Sequence, residues 1–179
     1  MIFRDTSIAG AFILEPQPHV DDRGSFTRIW CAREFEGQGA DARLAQCSIS
    51  TNARKGTLRG LHYSVPPGAE VKVVRCVRGA IYDVLVDLRP ESPSYRRYFA
   101  QTLTADNGLA LYVPEGVAHG FETLEDHSDV LYQVSEFYDP ACARGVRWND
   151  PAFGIPWPDR DPILSDRDRS CADYLPPAP

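Results

Sequence analysis

The chain has 179 residues, 43% hydrophobic and 25% charged, which suits one soluble globular domain with a sizeable core. A net charge of -6 and a pI near 5.2 argue against a general nucleic-acid or anionic-membrane binder, while leaving room for a small basic pocket that takes one phosphorylated ligand. No apolar run approaches the roughly 18 residues of a spanning helix. Met1 to Asp5 lacks the basic start and apolar core of a signal peptide, and five cysteines without a CxxC pair read as reduced thiols of a cytoplasmic protein with no zinc ribbon.

In chain order the sequence reads as β-rich. Residues 1–20 alternate weakly around Pro16 and Pro18, as an edge strand or arm does. Asp21 to Gly24 is a turn, and Ser25 to Trp30 alternates polar and apolar. Residues 31–40 suit one short helix or a loop, because Gly37 and Gly39 would destabilise anything longer. Gly56 to Tyr63 carries Arg59 and His62 three residues apart, which an ideal strand would point to opposite faces. Gly60 between them predicts a bulge that turns both toward one cavity. Val71 to Val77 and Ala80 to Leu88 are β-branched runs joined at Arg78-Gly79, the pattern of a tight hairpin. Further strands are expected over Arg96 to Leu103, Leu109 to Val113, Val117 to Leu124 and Ser128 to Phe137. The tail from Asp139 holds eight of the 15 prolines and predicts an irregular wrap with one helical turn near Ser165. No repeat or linker divides the chain, so an all-β sandwich or barrel over 1–179 is expected.

The spacing Gly108, Pro114, His119 fits the second motif of the cupin jelly rolls, with Thr123 where Asn is usual. Gly56 and His62 fit the first motif, but Ser64 replaces its second histidine and Glu70 comes late. His62, Glu70 and His119 could together suit zinc or iron in a cupin oxygenase or hydrolase. Lys72 lies two residues beyond Glu70, on the same face of a strand, where an ammonium would repel a divalent cation. A site without metal or other cofactor is therefore expected.

More of the chain resembles the metal-free dTDP-4-dehydrorhamnose 3,5-epimerases. The resemblance runs through Asp22-Arg23-Gly24 with Phe26, Lys55 to Tyr63, Lys72 to Arg75, Asp83-Val84, Val86 to Arg89, Pro114 to Phe121, Tyr132, Tyr138, Trp148 to Pro151, Trp157-Pro158 and Leu164 to Asp168. It implies a cupin-type double-stranded β-helix acting on a nucleotide-diphosphate 4-keto-6-deoxy sugar and inverting the carbons beside the ketone, as in rhamnose biosynthesis. His62 matches the family's base, Asp168 the carboxylate that orients it, Lys72 the cation beside the enolate, and Tyr132 the opposing acid, given a nearby charge that lowers its pKa. Arg23 and Arg59 match diphosphate ligands. Gln46 and Tyr138 match positions near phosphate or sugar, and Ser48 and His119 are further candidates for binding the substrate. The family's dimers exchange an N-terminal strand, so Phe26 and Arg28 would reach a partner's site.

From residue type alone, Tyr132 could be a strand aromatic, Asp168 part of a solvated charge run, and His119 a barrel histidine bonded to backbone. Departures from the family pattern cluster at the ligand rim: Cys47-Ser48 replaces Asp-Asn, Ser64 replaces Gln, and Arg28 replaces a Glu near the base. A different base or sugar, and inversion of one carbon or migration of the ketone, are the neighbouring alternatives.

Overall fold

A computed structural model describes residues 1–176; the last three positions of the expected C-terminal wrap lie outside the described residues. The strands are β1 (Ile2–Asp5), β2 (Phe12–Glu15), β3 (His19–Asp21), β4 (Gly24–Phe26), β5 (Gln46–Asn52), β6 (Leu58–Ser64), β7 (Lys72–Arg78), β8 (Ala80–Asp87), β9 (Tyr98–Thr104), β10 (Ala110–Val113), β11 (Val117–Thr123), β12 (Ser128–Val134) and β13 (Ala143–Gly145). Two short helices, α1 (Ala32–Gly37) and α2 (Asp166–Arg169), complete the set among the described residues.

One sheet has the order β1-β2-β10-β7-β12-β5, and the other β13-β6-β11-β8-β9. Every ladder in them is antiparallel. From β5 to β13 the chain crosses between sheets at every step except β8 to β9. That is the jelly-roll connection, and it corrects one local expectation. Val71–Val77 and Ala80–Leu88 do not pair as a hairpin, because β7 and β8 lie in opposite sheets. Nor do β9 and β10 pair across their turn. Alternation with period two says which face a residue takes, but not which neighbouring run it bonds to. Gly79 makes the crossing from β7 to β8 with φ +73°, and a Cβ there would lie 2.5 Å from the Ser128 hydroxyl, so only glycine fits.

The core lies between the sheets. Val74, Cys76, Leu111 and Val130 from one meet Ile81, Leu85, Leu103 and Phe121 from the other, all buried. Full burial of each large side chain contributes about 1.5–3 kcal/mol. The outer faces are covered separately. Phe35 of α1 packs on Phe3, Trp30 and Tyr112 over part of the six-stranded sheet. The proline-rich tail packs Val146, Phe153 and Trp157 against Leu61, Val84 and Val86 of the five-stranded sheet. Among the described residues it contains only β13 and α2 as regular structure, as expected of a wrap. Of Ser25–Trp30, only Ser25 and Phe26 enter a strand: β3 and β4 form a small hairpin apart from both main sheets, with no third strand to bury it.

Candidate active site

One end of the barrel is polar inside. The bulge expected at Gly60 is present: His119 pairs with His62 but Phe121 pairs with Arg59, so β6 carries one extra residue there. A Cβ on Gly60 would come within 2.5 Å of Gly120 Cα and 2.8 Å of the His119 carbonyl, so a glycine is needed for β6 and β11 to lie this close. The extra residue turns Arg59 and His62 to the same side, into a cavity of about 440 Å³ lined also by Ser48, Lys72, His119, Tyr132, Arg167 and Asp168. An adjoining lobe of about 330 Å³ shares His62, Lys72, Tyr132 and Arg167 and adds Gln46, Ser64, Glu70 and Tyr138. A larger cleft of about 480 Å³, beside Arg75 at the far end of β7, has no histidine or tyrosine in its lining.

His62 Nε2 lies 2.6 Å from Asp168 Oδ1. Burial pushes the Asp168 carboxyl up, but hydrogen bonds from His62, Ser165 and the Gly60 backbone together hold it below the ordinary carboxylate range. An ionised carboxylate only accepts, so Nε2 carries the proton and Nδ1 is left with the free lone pair. The loose charged run of the tail thus delivers a buried acid: Ser165 caps α2 by accepting from the Asp168 N–H at 3.1 Å, and this turn aims the carboxylate at the imidazole.

Tyr132 stands opposite His119, ring edge to face at 5.8 Å. Burial pushes its phenol well up, the Asp83 charge adds to this, and Arg59 offsets only part. The condition set for its role as an acid, that nearby charge lower its pKa, is therefore not met. Desolvation outweighs the single cation, and the hydroxyl is fully protonated at neutral pH, as a donor must be. His119 does not bond backbone through Nε2, which lies 3.0 and 3.1 Å from the two Asp83 oxygens. Asp83 is wholly buried, and burial raises its carboxyl against the pull of His119. Lys72 Nζ lies 2.7 Å from Glu70 Oε1, Arg59 Nε donates to Asn52 Oδ1 at 2.8 Å, and the Tyr138 N–H donates to Gln46 Oε1 at 2.7 Å.

Nine of the twelve expected site residues therefore line the two lobes: His62, Lys72, Tyr132, Asp168, Arg59, Gln46, Ser48, His119 and Tyr138. Arg23, Phe26 and Arg28 do not. Arg23 pairs with Asp21 on the exposed hairpin, Phe26 is 74% exposed, and Arg28 pairs with Glu34 beside a separate cleft. Arg167, which lines both lobes, was not among the expected site residues; its signal was its place in the Leu164 to Asp168 motif, beside Asp168. The metal donor set does not assemble, since His62, Glu70 and His119 are engaged by Asp168, Lys72 and Asp83 respectively. Among the described residues no three His, Cys, Asp or Glu side chains converge on a cation position.

Comparison with known proteins agrees with this geometry. The family profile described as dTDP-4-dehydrorhamnose 3,5-epimerase matches residues 5–174. The dTDP-4-dehydrorhamnose 3,5-epimerase of Sinorhizobium fredii is 41% identical over 171 residues, covering 95% of this chain and 88% of the relative. A crystal structure of the Bacillus anthracis dTDP-4-dehydrorhamnose 3,5-epimerase with TDP and PPi bound superposes with a TM-score of 0.93 at 42% identity, over 97% of this chain and 99% of that one. The Legionella pneumophila dTDP-6-deoxy-D-glucose-3,5-epimerase in complex with dTDP-4-keto-L-rhamnose superposes with a TM-score of 0.90 at 31% identity, over 96% and 92%. A cupin-type barrel whose polar end joins a histidine–carboxylate pair to a lysine and a tyrosine, matched along nearly its whole length, makes this chain a member of the dTDP-4-dehydrorhamnose 3,5-epimerase family.

Proposed function

We propose that the protein inverts C3 and C5 of a dTDP-linked 4-keto-6-deoxy sugar in deoxysugar biosynthesis, its 179 residues acting as one jelly-roll domain. The observation that carries this reading is the convergence of the His62–Asp168 pair, Lys72 and Tyr132 on one cavity. A proton beside a ketone is acidic only if the enolate is stabilised as it forms. His62 Nδ1 takes that proton, and Asp168 supports the imidazolium produced. The Lys72 ammonium, 12% exposed, bonds the oxygen on which negative charge grows. Tyr132 returns a proton to the carbon from the other side, and the configuration inverts. Repeating the sequence at the second carbon requires only that the sugar ring present it to the same base.

Arg59, with Arg167, suits the diphosphate through its planar fork, while Gln46, Ser48 and Tyr138 border the sugar rim. Arg23, Phe26 and Arg28 lie outside their own chain's cavity, which supports a homodimer in which each hairpin serves the partner's site. The five free cysteines support a cytoplasmic setting, and no described helix is long and apolar enough to cross a membrane.

The test is product NMR in deuterated water with dTDP-4-keto-6-deoxyglucose. Deuterons are expected at both C3 and C5, and His62→Ala abolishes both. A single labelled carbon, or an active His62→Ala variant, refutes the assignment.

A further inference from the structure

Lys72 is not free in the cavity. Its Nζ lies 2.7 Å from Glu70 Oε1, and the same oxygen accepts from Ser64 Oγ at 3.0 Å. The lysine and glutamate side chains are 12% and 13% exposed, so the contact is shielded from the water that makes surface ion pairs weak. The three residues come from separate places: Ser64 ends β6, Glu70 lies in the segment before β7, and Lys72 begins β7. All three line the lobe that His62 and Tyr132 share.

A lysine is a compact charge on a flexible four-carbon stem, and left alone its ammonium samples many positions. Enolate stabilisation needs the charge in place before the proton leaves, because reorientation during the reaction forfeits much of the gain. A carboxylate at 2.7 Å takes one of the three ammonium N–H bonds and leaves two for a ligand. It also reduces the net positive field, so what it contributes is direction. Ser64, two residues beyond the base on β6, holds the carboxylate oxygen in turn.

We infer that Glu70 is a positioning residue for the epimerisation: it fixes Lys72 where the enolate oxygen forms, with Ser64 anchoring the carboxylate. This rests on the role given above to Lys72. Glu70→Ala, Lys72→Met, their double variant and Glu70→Gln are compared by kcat and KM for deuteron incorporation. Glu70→Ala should lower kcat about tenfold to a hundredfold, the scale of a small misplacement of a catalytic group. KM should stay within about threefold, since uniform substrate binding is untouched. The double variant should be no slower than Lys72→Met alone by more than about twofold, because the two residues act as one unit. Glu70→Gln keeps an oxygen for both partners and should recover most of kcat. An unchanged kcat in Glu70→Ala, a fully additive double variant, or a loss confined to KM overturns the inference. An NMR measurement of Lys72 ammonium order separates its failure from that of the functional reading. An inactive wild type whose Lys72 is ordered by Glu70 removes the substrate assignment and supports the pairing. A wild type whose Lys72 is equally mobile with and without Glu70 removes the pairing.

Discussion

Glu122 offers a quantitative test of how the tail is held. It lies near the end of β11, on the outer face of the five-stranded sheet, 2% exposed beneath the tail. Among the described residues its carboxylate accepts one hydrogen bond, a long one, 3.3 Å from the Asp159 N–H to Oε2. Tyr82 faces it across the β8–β11 ladder, Asp159 repels it, and Lys55 attracts it from the loop before β6. Burial dominates and raises the carboxyl from 4.5 to about 7. Between those values the folded chain binds more proton than the unfolded one, so stability falls as pH rises through the window and levels off above about 7. The gap corresponds to about 3 kcal/mol for full desolvation. Glu122→Gln keeps the acceptor and removes the charge. Urea unfolding at pH 5, 6, 7 and 8 should show the variant progressively more stable than the parent, by about 2–3 kcal/mol at pH 8, with the two converging toward pH 4. Parallel curves would refute the reasoning. The effect reaches the active site through one segment. Ile163, four residues beyond Asp159, bonds Gly56 and Leu58 at 2.7 and 2.9 Å, and Asp168 follows five residues later.

Asp168→Asn should lower kcat about 10- to 150-fold, the equivalent of one hydrogen bond to a charged group, in steady-state assays. The stabilising contribution of Asp168 is present above its unfolded value of 3.8 and lost as pH falls through its lower folded value, so acid unfolding of the variant should lack that component. Tyr132→Phe should reduce turnover about 10²- to 10⁴-fold in the same NMR assay with its melting temperature little changed, because only the proposed proton donor is removed. Arg75 is 5% exposed, its Nε and Nη2 have no partner among the described residues, and burial lowers its guanidinium to about 10. Arg75→Met keeps the length without the cation and should raise stability at pH 7 by about 1–3 kcal/mol in urea titrations; a fall would mean that a group outside the chain pairs with it.

The chemistry-bearing residues were more legible in the sequence than the connections between strands. Gly60 between Arg59 and His62 announced a bulge because only glycine tolerates that approach, and the bulge is there. The crossings at Gly79 and at Ala105 to Gly108 were not legible, because the same turn residues serve a hairpin and a sheet-to-sheet crossing. Asp168 looked like solvated charge because its partner lies 106 residues away, a separation no local pattern encodes. Tyr132 misled in another way. Its position was readable, but the direction of its pKa depends on burial and on Asp83, which only the assembled barrel supplies.

The inner face of the barrel explains why these distant residues depend on one another. On β12, Val130 faces the core and Tyr132 the cavity; on β7, Cys76 and Val74 face the core and Lys72 the cavity. The ladders tie these choices together, with Tyr132 opposite Val74 and Ser48, Lys72 opposite Val134, and His62 opposite His119. Side chains alternate with period two, so a slip of one residue in any of these ladders would turn a neighbour into the cavity and expel the cavity residue itself. The packing of Val74, Cys76 and Val130 therefore fixes more than stability: the register that closes the apolar core is the same one that sets lysine, tyrosine and histidine around a single sugar-sized space.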